Sequence, residues 1–186
     1  MWQTSPLNGM SDVIDIEGFR ANVGIVLMRD DGSVFLGRRA RGGGWQFPQG
    51  GMQTGEAPED SLFRELHEEI GLSRADVELI GATRDWIRYR LPSRYVRRDQ
   101  LPLCIGQKQR WFLLRLRPGA AKFAFCATNE PEFDQGRWSG WWEPVREVIF
   151  FKRPVYVQML NELATLAFPQ GPPPLPAWWD EATARS

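Results

Sequence analysis

From Gly50 to Leu72 the chain reads GGMQTGEAPEDSLFRELHEEIGL, a glycine-containing loop that leads into a short helix. Pro58 suits the first helical position, because the N–H that proline lacks would have no helical partner there. Glu59 and Asp60 place negative charge at the positive end of the helix dipole. Gly71 can adopt the left-handed conformation that commonly ends a helix. These signals predict a helix that begins at Pro58 and stops before Gly71.

The predicted helix carries an apolar stripe and a separate acidic stripe. Side chains at spacings of three, four and seven form the apolar stripe: Leu62, Phe63, Leu66 and Ile70. The acidic stripe holds carboxylates that are neighbours on the helix surface: Glu65, Glu68 and Glu69. Such a cluster is either a solvated acidic face or a site for a hard divalent cation, which takes oxygen ligands. The short, sharply amphipathic helix and the glycine-rich loop before it favour the cation site.

The fixed positions of this stretch form a pattern: a glycine, five residues, a glutamate, seven residues, then Arg-Glu-apolar-x-Glu-Glu-x-Gly-apolar. The pattern resembles a complete Nudix box, and its many fixed positions make it far more specific than a lone glycine motif. Resemblance to the Nudix family implies an enzyme that hydrolyses a nucleoside diphosphate linked to another group. It also implies that Mg²⁺, Mn²⁺ or another divalent cation binds on this helix. An RNA-binding or regulatory module without turnover is the alternative, and a broken box would indicate it; the box here is intact.

The resemblance also implies roles for individual residues. The implied metal ligands are four glutamates and one backbone oxygen: Glu65, Glu68, Glu69, Glu132 and the carbonyl of Gly50. The same four glutamates form the implied catalytic set, in which we favour Glu65 over Glu132 as the base that takes a proton from water. Glu56 and Arg64 are expected to be structural, with Arg64 paired to a glutamate of the box. His67 occupies a variable position of the box and is expected at the surface.

The resemblance extends beyond the box, over roughly Asp15–Leu166. Several stretches are similar to the branch of the family that acts on RNA ends: Arg20–Val26, Trp45–Gly51, Cys104–Gln109, Trp111–Leu114, Pro131–Asp134 and Phe151–Arg153. That branch converts the 5′-triphosphate or 5′-diphosphate end of RNA to a 5′-monophosphate, which starts the decay of messenger RNA. Close relatives cleave dinucleoside polyphosphates such as diadenosine tetraphosphate, and this substrate is the alternative.

The implied RNA site combines a base clamp with basic phosphate contacts. Arg39 and Phe151 match the clamp, in which a guanidinium and a ring stack on an unpaired base. The candidate phosphate contacts are basic side chains from separate parts of the chain: Arg20, Lys108 and Lys152. The region from Arg84 to Arg117 suits a polyanionic ligand, because it holds ten Lys or Arg against two Asp. Charge alone fits a solvated basic strip equally well.

Composition indicates one globular domain with tails. The 186 residues are 42% hydrophobic and 25% charged, and the formal net charge is zero. Cys104 and Cys126 have no metal-binding spacing and are expected to be free thiols in a reducing compartment. The N-terminus lacks a signal-sequence pattern and no apolar run reaches membrane length. We therefore expect a cytoplasmic protein that does not bind membranes, and the sequence leaves open whether a protein activates it.

The order of the predicted elements indicates an α/β protein. Strands are predicted at residues 22–28, 33–39, 77–85, 86–91 and 110–117, with a hairpin turn at 30–32. A short helix is predicted to open at Glu143-Pro144 and a longer one at Lys152-Arg153-Pro154. This order predicts a mixed sheet covered on both faces, and the resemblance implies a Nudix-type α/β/α sandwich. The predicted domains are a flexible N-terminal extension (1–17), a Nudix hydrolase domain (18–168) and a Pro-rich C-terminal tail (169–186), whose Trp178 and Trp179 are expected to dock on this chain or on a partner.

Overall fold

The computed structural model describes residues 13–125 and 131–180, so Cys126 lies outside the described residues. The strands in this part of the chain form one sheet: β1 (Phe19–Met28), β2 (Val34–Arg39), β3 (Trp45–Gln46), β4 (Gln49–Gly51), β5 (Val77–Ala82), β6 (Ile87–Arg90), β7 (Gly106–Leu116) and β8 (Phe133–Ser139). The α-helices in the same residues are α1 (Pro58–Ile70), α2 (Pro144–Glu147) and α3 (Arg153–Ala167).

The predicted ends of the helices are confirmed. α1 begins at Pro58 and is followed by Gly71, whose φ of 75° lies in the left-handed region. The N–H of Gly71 donates to the carbonyl of His67 at 2.9 Å, which closes the last turn. α2 begins at Pro144 and α3 at Arg153, as the prolines predict.

The strands agree with the prediction less closely. The hairpin turn is confirmed: Gly32 has a φ of 81°, and the N–H of Arg29 donates to the carbonyl of Ser33 at 2.9 Å. β7 begins at Gly106 rather than at residue 110, since its polar residues 107–109 pair with β1. β3, β4 and β8 lie outside the predicted strands, because two of them are only two and three residues long and β8 has a polar sequence.

The sheet is mixed, as predicted. Its strand order is β3-β2-β1-β7-β5, with β4 also paired to β1, β6 to β7 and β8 to β2. β1 and β7 are parallel, from the pair Phe19–Gly106 to the pair Met28–Arg115. The remaining strand pairs are antiparallel. The parallel pair therefore forms the centre of the sheet.

Two hydrophobic cores lie on opposite faces of the sheet, which confirms the sandwich. On one face, Leu62, Leu66 and Ile70 of α1 are fully buried with alternate residues of β1 and β7, such as Ile25 and Phe112. On the other face α2 and α3 pack over a second buried set that includes Val155, Tyr156, Met159, Leu160, Leu163 and Trp111. Strand alternation divides the apolar side chains between the two helical layers.

The residues after α3 fold back on α2. The indole N–H of Trp142 donates to the carbonyl of Pro173 at 2.9 Å. The rings of Trp142 and Trp179 meet with their centroids 5.0 Å apart, and the guanidinium of Arg146 lies 5.2 Å from the ring of Trp178. Both tail tryptophans thus dock on this chain. Through residue 180, leaving aside the undescribed segments, no helix has both the length and the apolar character that a membrane crossing requires.

Candidate active site

The carboxylates of α1 lie against β4. Glu65 and Glu69, one turn apart, are both buried. A Cβ atom at Gly50 would stand 1.8 Å from Cδ of Glu65, so only glycine lets this carboxylate approach the strand. Glu69 Oε2 accepts a hydrogen bond from the backbone N–H of Gln49 at 2.9 Å. Glu69 Oε1 is buried and has no hydrogen-bond partner among the described residues.

Arg64 fixes the glutamates around it. Its Nε and Nη2 donate to the two oxygens of Glu56 at 2.8 and 2.9 Å. Its Nη1 donates to Glu65 at 2.6 Å and to Glu68 at 3.1 Å, and Nη2 also donates to the carbonyl of Gly51 at 2.9 Å. The Arg64 hydrogen bond holds the pKa of Glu56 below its usual value. Arg64 and Glu56 thus tie the loop to the helix.

Glu132 reaches the site from the position that directly precedes β8. The carbonyl of Glu132 accepts from the N–H of Ala40 at 2.8 Å, and its Oε1 accepts from Nε2 of Gln46 at 3.0 Å. Next to it Arg38 and Asp134 form a two-bond ion pair of 2.8 and 2.9 Å. These contacts attach the start of β8 to the end of β2 and set the position of the carboxylate.

The carboxylates of Glu65, Glu69 and Glu132 form the acidic end of the site. Their electrostatics suit a bound cation. Burial raises the pKa of Glu65 to about 7, against the opposing effect of Arg64. Burial also raises the pKa of Glu69, and the neighbouring charges of Glu132 and Glu65 add to the rise. Buried like charges of this kind favour protonation unless a positive charge joins them.

The donor set fits a hard divalent cation. Its atoms are carboxylate and carbonyl oxygens, and the buried Oε1 of Glu69 lacks a partner that a cation would supply. Among residues 13–125 and 131–180, no three acidic, histidine or cysteine side chains already converge as metal ligands. Glu68 in particular is engaged by Arg64 and is partly exposed. Cation binding would therefore require side-chain movement, chiefly of Glu68.

A cleft of about 600 Å³ joins the acidic end to a cationic and aromatic wall. It is lined by seven of the residues predicted for the site: Gly50, Glu65, Glu132, Arg20, Arg39, Phe151 and Lys152. A second hollow of about 810 Å³ lies between residues 29–31 and 116–123, and none of the predicted site residues lines it. The structure therefore brings metal, phosphate and base contacts of the prediction into one cavity.

Lys152 is a buried cation in the wall of the cleft. Its side chain is buried, and burial together with the Arg39 charge lowers its pKa to about 8, while Glu132 and Glu69 oppose that change. Its ammonium group makes no hydrogen bond or ion pair with the described part of the chain. A buried charge of this kind is costly unless a ligand of opposite charge meets it.

Arg20 and Phe151 occupy other parts of the cleft wall. A Cβ at Gly51 would lie 2.3 Å from Nη2 of Arg20, so a larger residue there would displace the guanidinium group from β4. The ring of Phe151 contacts those of Tyr89 and Tyr95, with centroids 5.8 and 5.2 Å away. The buried ring of Tyr89 thus lies behind Phe151, which still lines the cleft.

Lys108 does not reach the cleft. Its neighbour Gln107 lines the cavity, so strand alternation directs Lys108 to the opposite face of β7. There Nζ of Lys108 forms an ion pair with Asp15 at 2.9 Å. Four other predicted residues do not line the cavity: Glu56, Arg64, Glu68 and Glu69. The charge of Glu132 nevertheless acts on Glu69.

Several residues that the sequence analysis does not single out contribute to the site. Gln46 holds Glu132, the backbone of Gln49 holds Glu69, and the Gln109 amide bonds to Asn22 and to the side chain of Gln49. Gln46 and Gln49 belong to a stretch that carries the family resemblance, so that resemblance is the one signal pointing to them. No local pattern marks an amide as a positioning group.

The fold, the glutamate-bearing helix and the cleft define a hydrolase of the Nudix type. Residues 18–163 match the NUDIX domain, and the chain belongs to the Nudix family. The chain is 53% identical to the RNA pyrophosphohydrolase of Alkalilimnicola ehrlichii over 164 residues, which cover 88% of this chain and 91% of the relative. It is 56% identical over 155 residues to the RNA pyrophosphohydrolase of Xanthomonas campestris pv. campestris, covering 83% and 76% of the two chains.

Solved structures of low identity share the fold. The dihydroneopterin triphosphate pyrophosphohydrolase of E. coli superposes with a TM-score of 0.59 at 19% identity, over 76% of this chain and 94% of that one. The Ap4A hydrolase of C. elegans, as a binary complex, gives a TM-score of 0.56 at 13% identity, over 78% and 95%. At these identities the likeness extends to the architecture only.

Proposed function

We propose that this chain hydrolyses the 5′-terminal triphosphate or diphosphate of RNA and leaves a 5′-monophosphate, which opens a transcript to decay. The observation that carries the proposal is one cleft whose lining combines the buried carboxylate of Glu65 and the exposed carboxylate of Glu132 with cationic and aromatic side chains. A polyphosphate on an unpaired base needs both parts, since its phosphates require cations and its base requires a stacking surface. The relatives at 53% and 56% identity are named RNA pyrophosphohydrolases. A cytoplasmic location belongs to the same proposal.

The acidic end is where a divalent cation, Mg²⁺ by preference, would bind. The residues that would hold it are those of the predicted set: Glu65, Glu68, Glu69, Glu132 and the carbonyl of Gly50. When bound, such a cation neutralises phosphate charge and orients the attacking water. The carboxylates thus form the catalytic group of the proposal.

Glu65 is the residue that we assign to take the proton from water. A carboxylate whose pKa is raised to about 7 can both hold and release a proton at neutral pH. The 2.6 Å hydrogen bond from Arg64 keeps one Glu65 oxygen in place, which leaves the other oxygen to face the reaction. Arg64 therefore acts as a positioning residue.

The phosphate chain and the base are assigned to the opposite wall. Lys152 and Arg20 would neutralise the polyphosphate, because both line the cleft and Lys152 makes no ion pair within the described residues. Arg39 and Phe151 would clamp an unpaired base. Lys108 is left out of this proposal, since it lies on the other face of β7 and pairs with Asp15.

The test is to incubate the protein with 5′-triphosphorylated RNA and with diadenosine tetraphosphate in parallel and to compare kcat/KM. We expect the larger value for RNA, with a 5′-monophosphate product. A larger value for diadenosine tetraphosphate would favour the dinucleotide substrate instead. Accumulation of RNA with a 5′-hydroxyl end would overturn the assignment, because that product requires a phosphatase.

A further inference from the structure

An aromatic rim stands at the mouth of the cleft, beyond the clamp. We define it as the rings of Tyr95 and Phe150 together with the guanidinium of Arg94. Tyr95 lies in a short 3-10 turn between β6 and β7, and Phe150 lies in another just before α3. None of its three residues has a role in the chemistry described above.

The rim is continuous with Phe151. The Phe151 centroid lies 5.2 Å from that of Tyr95 and 5.5 Å from that of Phe150. The guanidinium carbon of Arg94 lies 5.0 Å from the ring of Tyr95 and 5.8 Å from that of Phe150. Arg94 therefore bridges the two rings from the outside.

The rim rings are exposed to an unusual degree for aromatic side chains. Tyr95 is 40% and Phe150 44% exposed, whereas Tyr89, the third ring against Phe151, is 8% exposed. Within the described residues, most of the exposed large hydrophobic side chains belong to the two segments that carry the rim: Tyr95, Leu101, Leu103, Ile149 and Phe150. Tyr95 and Phe150 both contact Phe151, and adjoining exposed rings of this kind indicate a binding site rather than scattered exposure.

The charges around the rim are those that a nucleic acid requires. Arg97, in the segment that carries Tyr95, lines the cleft. Three exposed arginines lie close together in the sequence, Arg94, Arg97 and Arg98, and one exposed acidic residue, Asp99, follows them. Exposed rings with arginines between them bind single-stranded nucleic acid, because bases stack on the rings while the guanidinium groups meet phosphates.

We propose that the aromatic rim binds the base that follows the clamped base in single-stranded RNA. The inference rests on the proposed function for the position of the clamp at Phe151. The polyphosphate of a nucleotide whose base is held there extends toward the carboxylates. The 3′ continuation of the strand must therefore leave the cleft in another direction. Of the rings in contact with Phe151, only Tyr95 and Phe150 are open to that strand. Arg97 is placed to meet the phosphate between the two bases.

The experiment measures binding of a nucleoside 5′-monophosphate and of 5′-monophosphorylated RNA of two and three nucleotides by calorimetry in EDTA. These ligands have no phosphoanhydride bond, so the result does not depend on turnover or on a metal. For the unmodified protein we expect the second nucleotide to lower Kd by roughly fivefold or more, the scale of one stacked base. The third nucleotide should add much less.

The variant Tyr95→Ala/Phe150→Ala should lose the gain from the second nucleotide and keep the Kd for the mononucleotide. The exchanged pair Tyr95→Phe/Phe150→Tyr retains both rings and should bind as the unmodified protein does. Leu175→Ala removes an exposed apolar side chain elsewhere and should change none of the values. Thermal melts of each variant establish that it is folded.

Equal Kd values for one and two nucleotides in the unmodified protein would overturn the rim proposal and leave the proposed function standing. Equal losses for both lengths in the double alanine variant would also overturn it, because the rings would then only support Phe151. A length-dependent Kd in a protein that does not hydrolyse 5′-triphosphorylated RNA would retain the rim and refute the proposed function.

Discussion

Replacing Glu69 by glutamine separates the part that its charge plays in catalysis from the part that its shape plays in the fold. Glutamine keeps an oxygen that can accept the 2.9 Å bond from the N–H of Gln49, but it carries no negative charge. With Mg²⁺ present, we expect turnover of 5′-triphosphorylated RNA to fall by about a hundredfold or more, as when one preorganised electrostatic contact is removed.

The same change should stabilise the protein when no metal is present. Burial and the charges of Glu132 and Glu65 raise the pKa of Glu69 above its ordinary value of 4.5. The folded chain therefore binds this proton more tightly than the unfolded chain, so stability is lost as pH rises above the unfolded value. An unsatisfied buried group costs about 1–3 kcal/mol, and each kcal/mol shifts the Tm of a protein of this size by about 2–4 °C.

The assay is a series of thermal melts in EDTA across pH, beside turnover measured with Mg²⁺. At about pH 8 the Glu69→Gln variant should melt roughly 2–12 °C above the unmodified protein, and the difference should shrink toward about pH 5. The matched control is Glu59→Gln, which makes the same change at an exposed position of α1. This control should alter neither kcat nor the pH dependence of the Tm.

Two results would refute this reasoning. A Glu69→Gln variant with near-normal kcat would remove Glu69 from the catalytic set. A Tm difference that stays constant from acidic to basic pH would mean that the Glu69 carboxyl is not strained by its neighbours, whatever its effect on turnover.

Three further predictions concern the clamp, the close approach at β4 and the bond that is broken. Phe151→Ala should lower kcat/KM for 5′-triphosphorylated RNA more than for a nucleoside triphosphate, and equal losses in steady-state assays would make Phe151 a core residue only. Gly50→Ala should reduce kcat and the Tm together, because the added Cβ would stand 1.8 Å from Cδ of Glu65; unchanged values of both would contradict that contact. Hydrolysis in ¹⁸O water, followed by mass spectrometry, should place the label in one position, either the α-phosphate of the RNA or the released product, since the clamp holds the polyphosphate in one register. Label in both places would argue against a fixed register.

The sequence predicts those parts of the fold that depend on local backbone chemistry. Pro58 and Gly71 set the ends of α1 through their own conformations, and the turn at Gly32 does the same for the hairpin. β3 and β4 are too short to show an alternating pattern. The first part of β7 is polar because Gln107 lines the cleft, Lys108 pairs with Asp15 and Gln109 bonds to Asn22, so hydrophobicity does not mark it as a strand.

In the candidate site, too, the sequence predicts what depends on local spacing and misses what depends on distant contacts. Glu65, Glu68 and Glu69 are neighbours by helical spacing alone, whereas Glu132 meets Gln46 from 86 positions away along the chain. Only the family resemblance links Glu132 to the helix in advance. Adjacent residues of β7 point to opposite faces of the sheet. Gln107 therefore lines the cleft, whereas Lys108, the next residue, pairs with Asp15 on the other face. Counting charges along the chain does not determine that choice.

The parallel pairing of β1 with β7 has a consequence for how the chain matures on the ribosome. Paired residues are separated by 87 positions, as between Asn22 and Gln109. At a synthesis rate of about 5–20 residues per second, roughly 4–17 seconds pass between the emergence of the two strands. During that interval β2 and β4 can cover one edge of β1, while its other edge waits unpaired and largely apolar. A nascent chain arrested before Leu116 therefore presents an aggregation-prone edge, so the interval is one in which a chaperone would be needed most.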